Sequence, residues 1–203
     1  MGFISNIKRN LLIRGFVSTY QRYIIRRSQF GYMAPSARIT PPCSLSGAKN
    51  ISFEEGCVID GNSLLYATNA KIVFKKYVVS AKGLHIVTGD HERRVGRFCA
   101  TITEAEKDHN KNLDRDVVVE DDVWFGLNVT VMPGVIVGRG STIGAESVVT
   151  KSIPPYCIAV GSPAKPIKFY WTIDQIMEHE AKLYPESKRF TREELEAHRA
   201  CLK

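Results

Sequence analysis

The chain has 203 residues, 44% of them hydrophobic and 24% charged, which suits one sizeable core with terminal attachments and excludes two large independent domains. Its Lys and Arg residues outnumber Asp and Glu by 28 to 21, but they are not spread as a nucleic-acid-binding face requires. The five cysteines are scattered and form no CxxC pair, so we expect neither a disulfide framework nor a zinc knuckle. This cysteine usage indicates a cytoplasmic protein.

Residues 1–30 are predicted to form a basic amphipathic helix. Between Met1 and Arg27 there are six basic residues and no acidic one, and apolar residues recur at spacings of three and four. Such a helix could lie on the inner face of an anionic membrane. The preferred interpretation is that its apolar stripe packs against the rest of the protein or against a neighbouring subunit. The segment lacks the features of a signal peptide, and no apolar run has the length of a membrane span.

Residues 31–168 are dominated by a repeat of six residues. Aliphatic or aromatic residues return at every sixth position, and the position four residues after each is small or β-branched. The first set is Val119, Phe125, Val131, Val137, Ile143 and Val149, and the second is Val123, Val129, Val135, Ser141 and Ser147. This period excludes an amphipathic helix and favours very short strands joined by tight corners. It predicts a parallel β-coil whose stacked turns bury columns of side chains.

An upstream set of residues keeps the same step of six. It comprises Ile39, Leu45, Ile51 and Cys57, followed by Ile72, Val78 and Leu84. The gap of fifteen residues between Cys57 and Ile72 is not a multiple of six, so we expect a loop or a slip of the coil there.

The repeat breaks at Asp90, which follows Leu84 by six residues. The chain must therefore leave the coil at this point, and the basic stretch from Glu92 to Asp116 is predicted to be a loop. Function is often placed where a regular scaffold is interrupted. His91 stands at this break, and a histidine, with an unperturbed pKa of roughly 6.5, suits general-base catalysis.

Residues 169–203 are predicted to form a helical tail. The pattern favours helices from Thr172 to Lys182 and from Thr191 to Cys201, the second beginning at the capping box Thr191-Arg-Glu-Glu194. The tail is expected to cover one end of the coil or to contact a neighbouring subunit, because an open coil end is an unpaired edge. His179 and His198 in this tail are expected at the surface.

Three segments together resemble the hexapeptide-repeat acyltransferases, in particular the maltose, galactoside and polysaccharide O-acetyltransferases. They are Leu84-His-Ile-Val-Thr-Gly-Asp-His91, Asp122-Val-Trp-Phe-Gly126, and Ile143 to Pro154 together with Gly161-Ser-Pro-Ala-Lys165. The resemblance implies a mainly β fold, a left-handed parallel β-helix with three hexapeptides to a turn. It also implies acetyl-CoA as co-substrate, no metal, and a homotrimer with active sites between subunits.

The resemblance also assigns roles to individual residues. His91 would deprotonate the acceptor hydroxyl, and the backbone N–H of Leu127 would stabilise the oxyanion of the thioester carbonyl. Trp124 would lie near both substrates, although a tryptophan here could instead only pack at a subunit contact. The acceptor would contact Asp90, His85 and Trp124. Coenzyme A would contact Gly126, Gly144, Ala145, Lys151, Lys165 and Lys168, where Lys165 replaces an arginine common in the family.

The expected reaction is O-acetylation of a sugar, in a bacterial polysaccharide or its precursor. N-acylation of an amino sugar uses the same fold and donor and remains open. A metal lyase of the γ-carbonic anhydrase kind would instead need His85, His91 and His109 to meet at a zinc ion. A non-catalytic scaffold would retain the coil without turnover. The loop from Glu92 to Asp116 is expected to select the acceptor, whose identity no sequence rule gives.

Overall fold

The computed structural model describes residues 20, 22–108, 111, 113–200 and 202. Most of the predicted N-terminal helix lies outside these residues. Among the described residues of this segment, Tyr20 is helical. Residues 22–30 instead form a turn, an extended stretch and a 3-10 helix at Arg27–Gln29, so the α-helix prediction is wrong for residues 22–30. The Arg27 guanidinium donates hydrogen bonds to the carbonyls of Ala34, Pro35 and Ala37, and these bonds attach the segment to the first turn of the coil.

Seventeen strands in the described residues form three sheets, which we call sheets A, B and C. Sheet A contains β1 (Tyr32–Met33), β4 (Ile51–Phe53), β7 (Ile72–Phe74), β10 (Val117–Val119) and β13 (Ile136–Val137). Sheet B contains β2 (Arg38–Ile39), β5 (Val58–Ile59), β8 (Val79–Ser80), β11 (Trp124–Phe125), β14 (Thr142–Ile143), β16 (Cys157–Gly161) and β17 (Ala164–Phe169). Sheet C contains β3 (Cys43–Ser46), β6 (Ser63–Tyr66), β9 (His85–Val87), β12 (Thr130–Val131) and β15 (Val148–Val149).

The chain visits sheets A, B and C in turn, so the sheets are the three faces of a β-helix. Neighbouring strands of each sheet pair in parallel, except β16 and β17 at the end of sheet B, and Phe125 lies in register with Ile143 one turn of eighteen residues later. All six predicted column residues from Val119 to Val149 are fully buried, as are the five small residues between them. The prediction of a β-coil with a six-residue repeat is therefore confirmed.

The first turns of the coil are longer than eighteen residues. Ile39 pairs with Ile59 after twenty residues, and Ile59 pairs with Ser80 after twenty-one. The extra residues lie at two corners. One, near the 3-10 helix Ala48–Asn50, was not predicted. The other, around residues 67–71, falls within the gap where the sequence predicts a slip.

The corner near Ala48–Asn50 changes the phase of the upstream set. Leu45 falls in the column of Val131, through Leu65 and Ile86, whereas Ile51 and Ile72 fall in the column of Val117. The expectation of one unbroken step from Ile39 to Cys57 is therefore wrong. The residues are still inward-facing because both inward positions of each short strand accept aliphatic side chains.

The C-terminal end of the coil closes with an antiparallel hairpin and two helices. Strand β17 turns back on β16, and α1 (Ile173–Leu183) and α2 (Arg192–Ala200) follow, with Thr172 and Thr191 in capping boxes. The buried Tyr156, in the last turn of the coil, packs against three residues of these helices: Ile173, Ile176 and Leu195. The helical tail thus covers the coil end. No described helix has the length and apolar character needed to cross a membrane.

A buried ion pair fastens this tail to the coil. Arg139 donates to both carboxylate oxygens of Glu180 at 3.0 Å, and the Tyr156 hydroxyl bonds to the same carboxylate. Burial and the hydrogen bond to Glu180 raise the pKa of Tyr156, so the phenol stays protonated. His179 and His198 are half-buried in this tail, which corrects the expectation that both are surface residues.

Candidate active site

His91 lies where the chain leaves sheet C, as the break in the repeat predicts. Asp90 occupies the position that would continue an inward column, but its side chain is exposed, and its Oδ1 accepts the His91 backbone N–H at 2.8 Å. The imidazole of His91 is exposed to solvent. It lines a cavity of about 210 Å³ together with Tyr66, Thr68, Asn69, Val87, Gly89, Asp90, Glu104, Lys107 and Asp114.

The loop that follows His91 is held in place by the buried carboxylate of Glu92. This carboxylate accepts hydrogen bonds from Arg94 at 2.7 and 2.9 Å, from Lys111 at 2.5 Å and from the Asp108 backbone N–H at 2.8 Å. The hydrogen bonds from Arg94 and then Lys111 lower the pKa of Glu92 well below its usual value. The loop therefore has a fixed internal anchor in spite of its polar sequence.

A second ion-pair cluster fastens the same loop to the coil beside the cavity. Lys107 contacts Asp114 at 2.7 Å and Glu104 at 3.3 Å, and Asn69 of the coil donates to Glu104. Sequence reasoning missed Tyr66, Asn69, Glu104 and Asp114 as neighbours of His91. Because β6 and β9 pair in register, Tyr66 lies beside Val87. This relationship depends on the number of residues in the intervening turn, which the sequence pattern does not give.

Trp124 and Leu127 lie on a different part of the molecule. Trp124 is on the outer side of sheet B with 52% of its surface exposed, and Leu127 occupies the corner between sheets B and C. Gly126 donates its own N–H to the Ile143 carbonyl at 2.8 Å, so this amide is already used by the coil. Within the described part of the chain, the backbone N–H of Leu127 has no hydrogen-bond acceptor. It is thus available to an outside oxygen.

The glycines at this corner have a packing role that the sequence did not reveal. A Cβ on Gly126 would lie 2.6 Å from the Ala145 nitrogen, and a Cβ on Gly144 would lie 2.7 Å from a Val160 methyl group. The absence of side chains at these positions is therefore required by the stacking of successive turns. The small corners form one continuous strip with the exposed Ala145.

Two of the three predicted phosphate-binding lysines lie at the end of this strip. Lys165 is in register with Val160, and Lys168 is in register with Ile158, on the hairpin that ends sheet B. Lys151 lies on the corner that follows β15. All three side chains are exposed and therefore accessible to a ligand.

The structure does not bring His91 and Leu127 together within one chain. Thr130 and His85 are in register on sheet C; Leu127 precedes Thr130 by three residues, and His91 follows His85 by six. The two residues thus lie at opposite edges of sheet C. His85 is half-buried between them, and His109 lies outside the described residues. Among the described residues, no group of His, Cys, Asp and Glu side chains is placed to hold a metal ion.

The chain is similar to known proteins in both sequence and fold. Residues 116–151 match the sequence model of the family described as bacterial transferase hexapeptide (six repeats). A putative acetyltransferase of Schizosaccharomyces pombe is 62% identical over 50 residues, which are 25% of this chain and 24% of the relative. The matched stretch thus spans about a quarter of that relative.

Two solved structures match over most of the chain. A hexapeptide-repeat acetyltransferase of Vibrio cholerae, solved with acetyl-CoA, has a TM-score of 0.63 and 27% identity, and the match covers 75% of this chain and 78% of the other. A maltose O-acetyltransferase of Clostridium difficile has a TM-score of 0.59 and 28% identity, with 72% and 73% covered. The repeat and these matches confirm the predicted resemblance, and the chain carries the hexapeptide-repeat β-helix fold of these acetyltransferases.

Proposed function

We propose that this protein transfers an acetyl group from acetyl-CoA to a hydroxyl group of a sugar. The observation that carries the proposal is the strip that leads from Leu127 to the lysines of the hairpin. Trp124, Thr142, Ile158 and Lys168 occupy successive strands of sheet B, and three strand spacings of about 4.8 Å give a span of about 14 Å. This span suits an extended pantetheine arm with its thioester at the Leu127 amide and its phosphates at Lys165 and Lys168.

The base comes from a second copy of the chain. Because His91 and Leu127 lie at opposite edges of sheet C, one chain cannot apply both groups to the same thioester. A homotrimer that places the sheet C edge of one chain against the corner of the next supplies both. The exposed Trp124 and Val79, neighbours in register on sheet B, give such a contact an apolar surface.

The chemistry follows from these positions. The neutral imidazole of His91 accepts the proton of the acceptor hydroxyl as its oxygen attacks the thioester carbonyl. The Leu127 N–H stabilises the negative charge on the carbonyl oxygen in the tetrahedral intermediate. When the intermediate collapses, the C–S bond breaks and the His91 imidazolium returns its proton to the departing thiolate. The products are an O-acetyl ester and coenzyme A.

The proposal is tested by incubating the protein with acetyl-CoA and a panel of sugars, with free thiol and product mass as readouts. An acetylated product that mild alkali hydrolyses indicates an ester and supports the proposal. An alkali-stable acetylated product indicates an amide and would assign N-acylation instead. Absence of thiol release with every acceptor, together with no effect of coenzyme A on the melting temperature, would contradict acetyl transfer altogether.

A further inference from the structure

The positive charge of this protein is concentrated at one end of the sequence. The first 53 residues contain eight Lys and Arg residues and no Asp or Glu, which leaves 20 basic and 21 acidic residues for the rest of the chain. The whole net charge of +7 therefore comes from the N-terminal quarter. Strands β1 to β4 belong to this quarter, so its described basic residues lie in or next to the first turns of the coil: Arg22, Arg26, Arg27, Arg38 and Lys49.

A cavity of about 520 Å³ opens at this end of the coil. Its lining consists of Arg22, Gln29, Cys43, Ser44, Leu45, Gly47, Ala48, Lys49 and Tyr66, and these residues include two cations and no carboxylate. Within the described part of the chain, the Arg22 guanidinium makes no hydrogen bond or ion pair, whereas Arg27 is committed to three backbone carbonyls. Lys49 donates one hydrogen bond, to the Ser28 carbonyl at 2.9 Å, and keeps two donors available.

This basic cavity adjoins the cavity that contains His91. Tyr66 lines both, and Ser46, Tyr66 and Val87 are in register on three successive strands of sheet C. Two strand spacings, about 10 Å, therefore separate the two regions along the outer side of sheet C. This separation suits one sugar ring and the linkage that follows it. The lysines assigned to coenzyme A lie at the opposite end of the coil, so the two cationic regions do not compete for one ligand.

We propose that the cavity between Arg22 and Lys49 binds a phosphate or pyrophosphate group of the acceptor, whose hydroxyl reaches His91 across Tyr66. The inference rests on the proposed function for the role of His91, but the phosphate site itself does not depend on acetyl transfer. The acceptor is then a sugar phosphate or a sugar diphosphate ester. Its phosphate is carried either by a soluble nucleotide or by a lipid, and both present the same group to Arg22 and Lys49.

The phosphate site is tested by calorimetric titration of the full chain with UDP and, separately, inorganic pyrophosphate, at low salt and without acetyl-CoA. We expect binding that weakens at least tenfold in the Arg22→Gln, Lys49→Gln double variant and remains unchanged in Lys182→Gln, a control on the distant C-terminal helix α1. Sedimentation with phosphatidylglycerol vesicles and with neutral phosphatidylcholine vesicles forms a second arm. If the double variant loses binding to the phosphatidylglycerol vesicles while binding to the phosphatidylcholine vesicles does not change, the phosphate is carried by a lipid.

The two proposals fail in different ways. If neither the soluble phosphates nor the anionic vesicles bind, or if the double variant binds them as well as the wild type, the phosphate site is wrong whatever the enzyme does. If the phosphates bind but acetyl-CoA releases no thiol with any acceptor, the site stands and acetyl transfer fails. With an active acceptor pair, the double variant should raise KM for the phosphorylated sugar and leave KM for the dephosphorylated sugar unchanged.

Discussion

Trp124 and Lys168 lie on one ladder of sheet B, joined through Thr142 and Ile158. An aromatic residue in the centre of the coil is thereby aligned with a cation on the terminal hairpin, although 43 residues separate them in sequence. The ladder gives the proposed coenzyme site a length and a direction. Because the ladder ends at the C-terminal hairpin, the proposed coenzyme site lies at the opposite end of the coil from the basic cavity.

Replacement of both hairpin lysines, Lys165→Gln and Lys168→Gln, should raise KM for acetyl-CoA by about 3- to 10-fold. Each exposed charge contributes on the order of 0.2–1 kcal/mol to an ionic contact, and the effect should shrink at high salt. Steady-state kinetics with S-acetylpantetheine, which lacks the nucleotide phosphates, provides the matched control because its KM should not change. An equal effect on both donors would show that these lysines do not contact the phosphates.

His91→Asn should lower kcat by about 10²–10⁴-fold, the usual contribution of a general base. The melting temperature should stay at the wild-type value, because the side chain is exposed and, among the described residues, His91 is hydrogen-bonded through its backbone N–H, to Asp90. His85→Asn is the comparison, and we expect it to alter KM for the acceptor more than kcat. A His91 variant with wild-type turnover would remove this residue from the mechanism.

Glu92→Gln should loosen the loop after His91 while the coil remains folded. The substitution removes the carboxylate that Arg94, Lys111 and the Asp108 amide share. Faster hydrogen exchange confined to residues 93–108, measured by mass spectrometry, and a raised KM for the acceptor are the expected results. Unchanged exchange in this segment would show that the loop does not need its anchor.

The same loop should respond to acid in the wild-type protein. The pKa of Glu92 is lowered by Arg94 and Lys111, and that of Glu106 is lowered to about 2 by Arg97 and Thr103. A carboxyl with a lowered folded-state pKa stabilises the fold above its unfolded pKa, here about 4.5, and the stabilisation is lost as pH falls through the folded value. The contribution of these two carboxyls to the stability of the loop, measured as hydrogen-exchange protection factors of residues 93–108, should therefore be constant from pH 7 to 5 and fall progressively below about pH 4.5.

Glu180→Gln should destabilise the attachment of the C-terminal helices by about 3 kcal/mol, because the change leaves Arg139 without its buried carboxylate partner. Denaturant unfolding monitored by the fluorescence of Trp171, which packs in this tail, measures the loss. Glu178→Gln on the same helix is the control. Its carboxylate pairs with Lys182 in solvent, so we expect no measurable change. Equal effects of the two substitutions would contradict a special role for the buried pair.

The sequence predicts most of the coil because its signal is local. Val119 to Val149 recur every six residues, and a short strand with one corner needs only these six positions to place a side chain inward. The 3-10 corner at Ala48–Asn50 escaped prediction for the complementary reason. A two-residue insertion changes the phase of the strands without changing the apolar character of Ile51 or Ile72.

The candidate site likewise has a part that the local sequence predicts and a part that only the tertiary structure shows. The break at Asp90 predicts that the chain leaves the coil beside His91, because burying an unpaired carboxylate in an aliphatic column is costly. Tyr66, Asn69 and Glu104 became neighbours of His91 only through the register of β6 on β9 and the path of the loop. No local pattern encodes that register, since it depends on the total length of the intervening coil.

The sequence by itself therefore determined the six-residue repeat, the inward columns, the exit of the chain at Asp90 and the capped helices of the tail, all of which depend on residues within one turn of each other. The tertiary structure alone decided that His91 and Leu127 lie at opposite edges of sheet C, that Trp124 is aligned with Lys168, and that Arg22 and Lys49 flank a cavity next to Tyr66. These relationships depend on the stacking of turns, in which residues about 18 to 45 positions apart become neighbours.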